Sequence, residues 1–586
     1  MPRLVVLALL VFGAGLGLRD PWPADEPRFT LVARDMVLSG DWLIPRVGGE
    51  AYADKPPLFM WLIAIPYRLG VDLSVAYLLP SLLAALGTLA LVYDLARRLW
   101  GGQAARVAGL LLVLTLQFAM QARTAQIDAL VCFLITLGVY GLLRHMLLGP
   151  QWRWYFLAWF AIGLGIITKG VGFLPMLMFL PWAALRLRAP GSLPKIDAPA
   201  GRWGLGPLAM LGAVALWLVP MLLHVAQSGS PELAAYRDEI LFRQTAARYA
   251  NPWHHLQPFW YFVVEVIPWA WLPLSLLLPW LVPAWWRRLK AGDAATWLLL
   301  GWAACVLVFF SLTPGKRGVY ILPALPAVVL AAAPLASELI ARRGVRRLVA
   351  IVLTALAIVG VSAVVWIHLL APQGASAQVA SWGFNLWPVV LAGAVLAVAL
   401  AVASRRLGCV LALSLFIIGG WQLYGWWAAP MMNPVRSGSE LMARVAQELP
   451  AGSALGLAGW KEQILLHADR PVVHFGFRRA SADETRDAAA WLAQDADRRL
   501  LIPKDHMAPC FDPRAGEALG SRHRKEWRLV GRDSLTGACA ADAVSRLRYY
   551  DPRRGALLPP REREPDPAAD EAHAAQAGYQ ARALSR

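Results

Sequence analysis

Charged residues crowd the first loop of a chain that is otherwise poor in them. Residues 25–35 read DEPRFTLVARD and residues 53–59 read ADKPPLF, so Asp25, Glu26, Arg28, Arg34, Asp35, Asp54 and Lys55 share one short stretch. Carboxylates beside cations are the parts of a site that takes a proton from one group while offsetting negative charge on another. The plainer reading is a set of solvated caps on two surface helices. Polar residues elsewhere weigh against it. RTAQID places Arg123 and Asp128 at the start of an apolar run, ITKG places Lys169 at a tight turn, and TPGKRGVY places Lys316, Arg317 and Tyr320 before another run. An ionisable group at a span centre costs about 2.5–3.5 kcal/mol on insertion scales and less at a span end, so each residue alone says little. Several cations and carboxylates at the same-facing ends of different spans point to a cavity for an anionic, membrane-borne ligand.

The elements that must hold these groups follow from the local pattern. Asp25 reads as the cap of a helix with Pro27 in its first turn. Phe29, Val32, Ala33, Met36 and Val37 then make one apolar face that Gly40 ends, the pattern of a helix lying in the membrane interface. Its N-terminus favours anions, and Asp25 and Glu26 sit there. A second helix is expected from Pro56–Pro57 to Gly70, with Asp54 and Lys55 at its mouth.

The whole chain is built for a bilayer. Its 586 residues are 58% hydrophobic and 16% charged, against about 25% charged in an average soluble protein. Continuous apolar runs predict a polytopic α-helical membrane protein with thirteen spans, near 4–18, 76–99, 103–121, 126–148, 153–167, 171–187, 205–226, 262–286, 296–313, 318–340, 348–371, 384–404 and 408–429. The first run has the alternative of a cleaved signal peptide, although it carries no clear small-x-small cleavage site. The net charge of +18 does not imply nucleic acid, because the basic residues lie in short connectors. With the N-terminus inside, every inside connector is basic, from Arg97, Arg98 and Arg106 through Arg405 and Arg406, as the positive-inside rule requires. The loops at 19–75 and 227–261 then lie outside, and so does everything after about residue 430.

The expected organisation is a transmembrane domain over 1–430, a soluble outer domain over 431–551 and a disordered tail over 552–586. Within the outer domain GSALGLAG, RPVVHFGF and RRLLIPK read as strands and SADETRDAAAWLAQ as a helix, a small α/β unit. Cys132, Cys305 and Cys409 read as packing residues inside apolar runs. Cys510 and Cys539 are able to pair if their domain is extracytoplasmic, but spacing alone does not show proximity.

At this point the sequence resembles a known family. The run DEPRFTLVARDMVLSGDWLIPRVGGEAYADKPPLFMWL looks like the first periplasmic loop of bacterial lipid-linked-sugar glycosyltransferases with a GT-C fold, the aminoarabinose (lipid A) transferases and their protein O-mannosyltransferase relatives. ARTAQIDALVCFLITL, GLGIITKG, HLQPFWYF followed by PW, and GKRGVYILPALPA are further matches, so the resemblance covers about residues 1–430. The family often has Pro-Thr before the tyrosine of the last motif, where this chain has Gly318–Val319. The resemblance implies about thirteen membrane helices, interfacial helices in the first periplasmic loop and a C-terminal periplasmic domain.

It also implies the chemistry. A polyprenyl-phosphate-linked sugar would be the donor, and lipid A, another envelope glycan or protein the acceptor, at the periplasmic face of the inner membrane. Asp25 matches the family's candidate catalytic carboxylate, with Glu26 beside it, and Lys55 matches the phosphate-binding lysine. Arg28, Asp128, Lys169, Lys316 and Tyr320 are candidates for donor phosphate or sugar. Asp128 and Lys169 also have a structural reading, a buried pair holding two spans together. Asp54 and His255 match a zinc site of the aminoarabinose transferases; the metal-free alternative is His255 hydrogen-bonding Asp54 or phosphate, and His254 reads as solvent-facing. A transporter or flippase for a lipid-linked or anionic substrate is the competing function, disfavoured by the lack of internal repeats.

Overall fold

A computed structural model of the chain describes residues 1–242, 256–370, 379, 383–522, 525–539 and 544–559. The chain divides into two compact units, Met1–Arg19 with Ala53–Met432, and Asp20–Tyr52 with Asn433–Arg586. The division differs from a single cut near residue 430 in one respect: most of the first loop belongs with the C-terminal residues.

The first unit is helical. Nine helices among the described residues are long and apolar enough to cross a membrane, and the pair Phe262–Ala270 and Leu274–Lys290, bent by 110°, would make ten. That is fewer than thirteen, for three reasons of length and continuity. The helix α1, Pro2–Phe12, has 11 residues, about 16 Å of rise against a hydrocarbon core of roughly 30 Å. Trp152–Ile166 has only 15. The runs at 76–99 and 103–121 fall largely on one helix, Leu79–Leu114, interrupted at Gly101 where φ is 84°. Two long helices, Arg343–Val365 and Trp387–Leu407, bury little of their apolar surface: Ile358, Val359, Val395 and Val402 are each 60% exposed or more. Surface of that kind is suited to lipid rather than water. The chain is a multi-pass membrane protein.

Two spans are entered through 3₁₀ turns, Gly170–Met178 and Gly318–Ala324. Pro175 and Pro323 lie inside them and supply no amide donor. The helix α3, Leu58–Arg68, starts directly after Pro57 as its sequence suggests.

The second unit is built on a seven-stranded mixed sheet. The loop-one hairpin pairs β1, Arg46–Val47, with β2, Glu50–Ala51, through Gly48 and Gly49, both at positive φ (59° and 80°), the backbone a two-residue hairpin needs. The sheet strands are β3 (Leu455–Leu457), β4 (Val472–His474), β5 (Arg499–Pro503), β6 (Glu517–Arg522), β7 (Lys525–Val530), β8 (Arg548–Asp551) and β9 (Ala556–Leu557). Their order is β6-β7-β5-β3-β4-β8-β9, with β3 parallel to β4 and β5 and the remaining pairs antiparallel. The helix Ser481–Ala493 sets Trp491 against Phe475, Ile502 and Phe511 in the core. Cys510 and Cys539 are joined as a disulfide. The sheet continues through β9, past residue 551; residues 560–586 of the expected tail lie outside the described residues.

The helix α2, Glu26–Ser39, has the expected bounds, with Gly40 left-handed at its C-terminus. Its polar side is covered as well as its apolar face. From Glu26 to Met36 every residue except Arg28 is buried. The charges survive burial because they are paired. Arg34 donates to the Leu466 carbonyl (2.8 Å) and to the Tyr550 hydroxyl (2.9 Å), and Tyr550 donates to Asp35 (2.7 Å).

Candidate active site

Three of the expected site residues meet in the first unit. Asp128 lies in the first turn of the helix Ile127–Leu147, where the helix dipole favours its charge. Lys169 is held by the turn between Trp152–Ile166 and the 3₁₀ segment: its amide bonds the Gly165 carbonyl at 2.9 Å. A Cβ on Gly172 would come within 2.0 Å of the Gly165 backbone, so the turn closes only with glycine there. Lys169 Nζ donates to Asp128 Oδ1 at 2.6 Å and stands 4.9 Å from the centre of the Tyr320 ring. Tyr320 packs on Phe310 at 5.3 Å between centroids. Its 3₁₀ turn is fixed from the side, because Gln117 donates to the Gly318 carbonyl (2.8 Å) and accepts from the Trp271 indole (2.9 Å). The pairing of Asp128 with Lys169 is thus realised, part-buried rather than buried, and an aromatic ring is added to it. Both side chains keep some exposure, 13% and 18%, so the pair is reachable.

Lys316 is 4% exposed and donates to the Gln257 carbonyl at 2.7 Å. The segment around Gln257 is tied to it twice more, by the Leu256–Gly315 bridge and the Gln257 amide on the Pro314 carbonyl. Burial lowers the pKa of this ammonium. Lys55 and Asp54 are half-buried and stand just ahead of α3, as expected from the prolines. His254 and His255 lie outside the described residues. Among the described residues no group of three His, Cys, Asp or Glu side chains is placed to hold a metal ion, and Asp54 with one histidine would be half of a tetrahedral ligand set.

The second unit holds the other expected residues. Asp25 precedes α2 in near-helical backbone and makes no side-chain cap bond, so the capping role expected of it is not realised. The reason is its neighbours. Glu26, 4% exposed, accepts from the Trp22 amide at 2.8 Å and closes the turn instead. Arg28 Nη1 lies 3.8 Å from Asp25 Oδ1, an ion pair without a hydrogen bond. The Nε of Arg28 pairs directly with Glu462, and its guanidinium faces the Tyr52 ring at 5.8 Å. Burial opposes the charge on Arg28, but Glu462 and Tyr52 outweigh it and raise its pKa.

Some residues that shape the site had no sequence signal. Glu462 is more than 430 positions from Arg28, in the unremarked stretch GWKEQILL. The same holds for Tyr550 on Arg34 and Asp35, for Arg546 and Arg548 on Glu50, and for Gln117 beneath Gly318.

Comparison with known proteins agrees with this picture. The family model described as dolichyl-phosphate-mannose-protein mannosyltransferase matches residues 54–194. An undecaprenyl phosphate-alpha-4-amino-4-deoxy-L-arabinose arabinosyl transferase of Edwardsiella ictaluri is 30% identical over 55% of this chain and 56% of its own length. The enzyme of that name from Pseudomonas savastanoi pv. phaseolicola is 30% identical over 63% of this chain and 67% of its own. The chain thus spans between about half and two thirds of the curated relatives it matches. The crystal structure of ArnT from Cupriavidus metallidurans in the apo state superposes with a TM-score of 0.68 at 20% identity, covering 91% of this chain and 98% of that one. The same protein bound to undecaprenyl phosphate gives 0.66. The fold is therefore that of ArnT, and the chain belongs to the GT-C glycosyltransferase family of the aminoarabinose transferases and their protein-mannosyltransferase relatives.

Proposed function

We propose that this chain moves a sugar from a polyprenyl-phosphate donor to a hydroxyl or phosphate group of lipid A, another envelope glycan or protein. The observation that carries the reading is the convergence of Asp128, Lys169 and Tyr320, a carboxylate, a cation and a phenol, at the ends of separate spans in a chain of this family. Aminoarabinose, the sugar in the relatives' names, is the first donor to test.

In this reading the acceptor oxygen attacks the anomeric carbon, the bond from that carbon to the phosphate oxygen breaks, and polyprenyl phosphate leaves with inversion. Asp25 takes the acceptor's proton, and Glu26 holds the turn that presents it. Lys55, Arg28 and Lys316 offset the charge that grows on the leaving phosphate, where preorganised donors have their largest effect. Asp128, Lys169 and Tyr320 contact the sugar or its phosphate. Zinc enters only as the resemblance implies it, at Asp54 and His255, and no step of this chemistry runs through it.

The reaction is placed at the periplasmic face of a bacterial inner membrane. Thirteen crossing segments are then required, with α1, Trp152–Ile166 and the two parts of Leu79–Leu114 each counted as one. The basic connectors support this orientation, and so does the disulfide in the C-terminal unit, since such bonds persist in oxidising compartments. The test is turnover by the purified full chain with undecaprenyl-phosphate aminoarabinose and lipid A, read by mass spectrometry. Lipid A, envelope glycans and envelope-protein glycosylation of cells with and without the gene complete it. Sugar transfer supports the reading; no turnover together with unchanged lipid A, glycans and envelope-protein glycosylation rejects it.

A further inference from the structure

The segment Asp20–Tyr52 is bonded to the C-terminal residues along its whole length. Asp20 accepts from Ser437 (2.6 Å) and Ser439 (2.9 Å). Arg28 pairs with Glu462, and Arg34 donates to Leu466 and Tyr550. Glu50 accepts from Arg546 (2.6 Å), Arg548 (3.1 Å) and the Phe477 amide (2.8 Å). Two of these ties come from one short helix, Glu462–Leu466: its first residue grips Arg28 and its last grips Arg34. Two grips six residues apart on α2 fix both the rotation and the height of that helix.

We propose that Glu462 is a positioning residue for the transfer reaction, acting through Arg28 to set how that guanidinium stands beside Asp25. The inference rests on the function proposed above. An arginine one turn after an aspartate, left to itself, closes on it through its forked donors. Here the Nε edge of Arg28 is taken by the Glu462 carboxylate, whose side chain is only 5% exposed, and the remaining contact to Asp25 is the looser 3.8 Å. The arrangement is carboxylate, guanidinium, carboxylate, with the buried one holding the cation. Without Glu462 the guanidinium is drawn onto Asp25, and both groups leave the geometry in which they meet donor and acceptor. Displacements of about 1 Å at a reacting group are enough to cost roughly a hundredfold.

The test uses the purified full chain, a polyprenyl-phosphate-sugar donor, and the variants Glu462→Gln, Glu462→Ala, Arg28→Ala and the double variant Arg28→Ala/Glu462→Ala. Glu462→Gln keeps size and an acceptor oxygen and loses the charge, so it decides if the alanine variant does not fold. The expected result is a fall of roughly tenfold to a hundredfold in kcat/KM for Glu462→Gln, carried by kcat, in a protein that melts lower because Arg28 loses its buried counter-charge but is still folded at the assay temperature. The double variant should be no slower than Arg28→Ala alone, because Glu462 acts through Arg28. Wild-type kinetics in a folded Glu462→Gln protein overturns the proposal. So does a loss that tracks the unfolded fraction, or one that multiplies with the Arg28 loss. Each of these leaves the proposed function standing, whereas a wild-type protein that transfers no sugar takes both down.

Discussion

Asp25 and Lys55 carry the most specific expectations at the scale of single residues. Asp25→Asn keeps the volume and a carbonyl oxygen but cannot accept the proton, so transfer should fall by about 10²- to 10⁴-fold. The variant should still insert and melt as the wild type does, and near-normal turnover would remove Asp25 from the role. Lys55→Ala should reduce kcat/KM by roughly a hundredfold. Lys55→Arg is not expected to restore it, because a planar fork replaces a compact charge on a flexible stem. An alanine variant with wild-type kinetics and melting would make Lys55 a solvated helix-end charge. The residue types were legible in the sequence, and so was the meeting of Asp128 with Lys169, because both motifs stand at facing span ends. What Asp25 does with its carboxylate was not legible. Capping preferences are local, and the turn is closed by Glu26 on Trp22 while Arg28 is drawn to Glu462, a partner that no local pattern indicates.

At the scale of elements, α2 shows which part of a helix sequence can be read. Its ends follow from Pro27 and Gly40, and its apolar face from the spacing of Phe29, Val32 and Met36. Burial of its polar side depends on β8 and on Glu462–Leu466, both hundreds of residues away, and no local periodicity indicates it. Tyr550→Phe tests the buried bridge. It keeps the ring and removes a hydroxyl that both accepts from Arg34 and donates to Asp35, leaving two buried charges short of a partner. A loss of about 1–3 kcal/mol is expected, seen as a lower melting temperature; an unchanged one would mean the two charges repair the gap themselves. His474 joins β4 to the loop-one turn through the Gly48 carbonyl (2.9 Å). Burial pushes its imidazole down to about 4, against the pull of that carbonyl and of Glu50. Between about pH 6.5 and 4 the unfolded chain therefore binds the proton more readily than the folded one, and stability falls as pH drops through that window, by roughly 3 kcal/mol. Glu484, pushed up to about 7 by burial, acts in the opposite sense, since its stabilisation is lost as pH rises. The comparison is therefore between His474→Gln and wild type. The variant should lose less melting temperature between pH 7 and pH 4.5, and an equal loss would refute a buried neutral ring.

At the scale of the whole molecule, the apolar runs and their basic connectors define a multi-pass helical protein, and the relatives' fold agrees with it. Span number is harder to read, because hydropathy marks apolar runs and does not say whether a run of 11 or 15 residues crosses. A count of nine or ten long helices has no fixed parity, so the side of the C-terminal unit must be argued from charge and chemistry. Arg97, Arg98, Arg186, Arg188, Arg287, Arg288, Arg342, Arg343, Arg405 and Arg406 all stand in the connectors assigned to the inside. Cys510 and Cys539, 29 residues apart, are bonded in the C-terminal unit, whereas Cys132, Cys305 and Cys409 in the helical unit are free thiols. A stable disulfide belongs on the oxidising side. Both arguments favour the orientation proposed above, with the C-terminal unit outside the cytoplasm. Alkaline phosphatase fused after Pro559, beyond the last sheet strand, should therefore be active in cells, since that reporter needs its own disulfides. Blocking free thiols before reduction should show the Cys510–Cys539 pair oxidised in protein taken straight from cells. An inactive phosphatase at Pro559, with a cytoplasmic reporter active at the same position and both cysteines labelled without reduction, would reverse the orientation and move Asp25 and Glu462 to the cytoplasmic side.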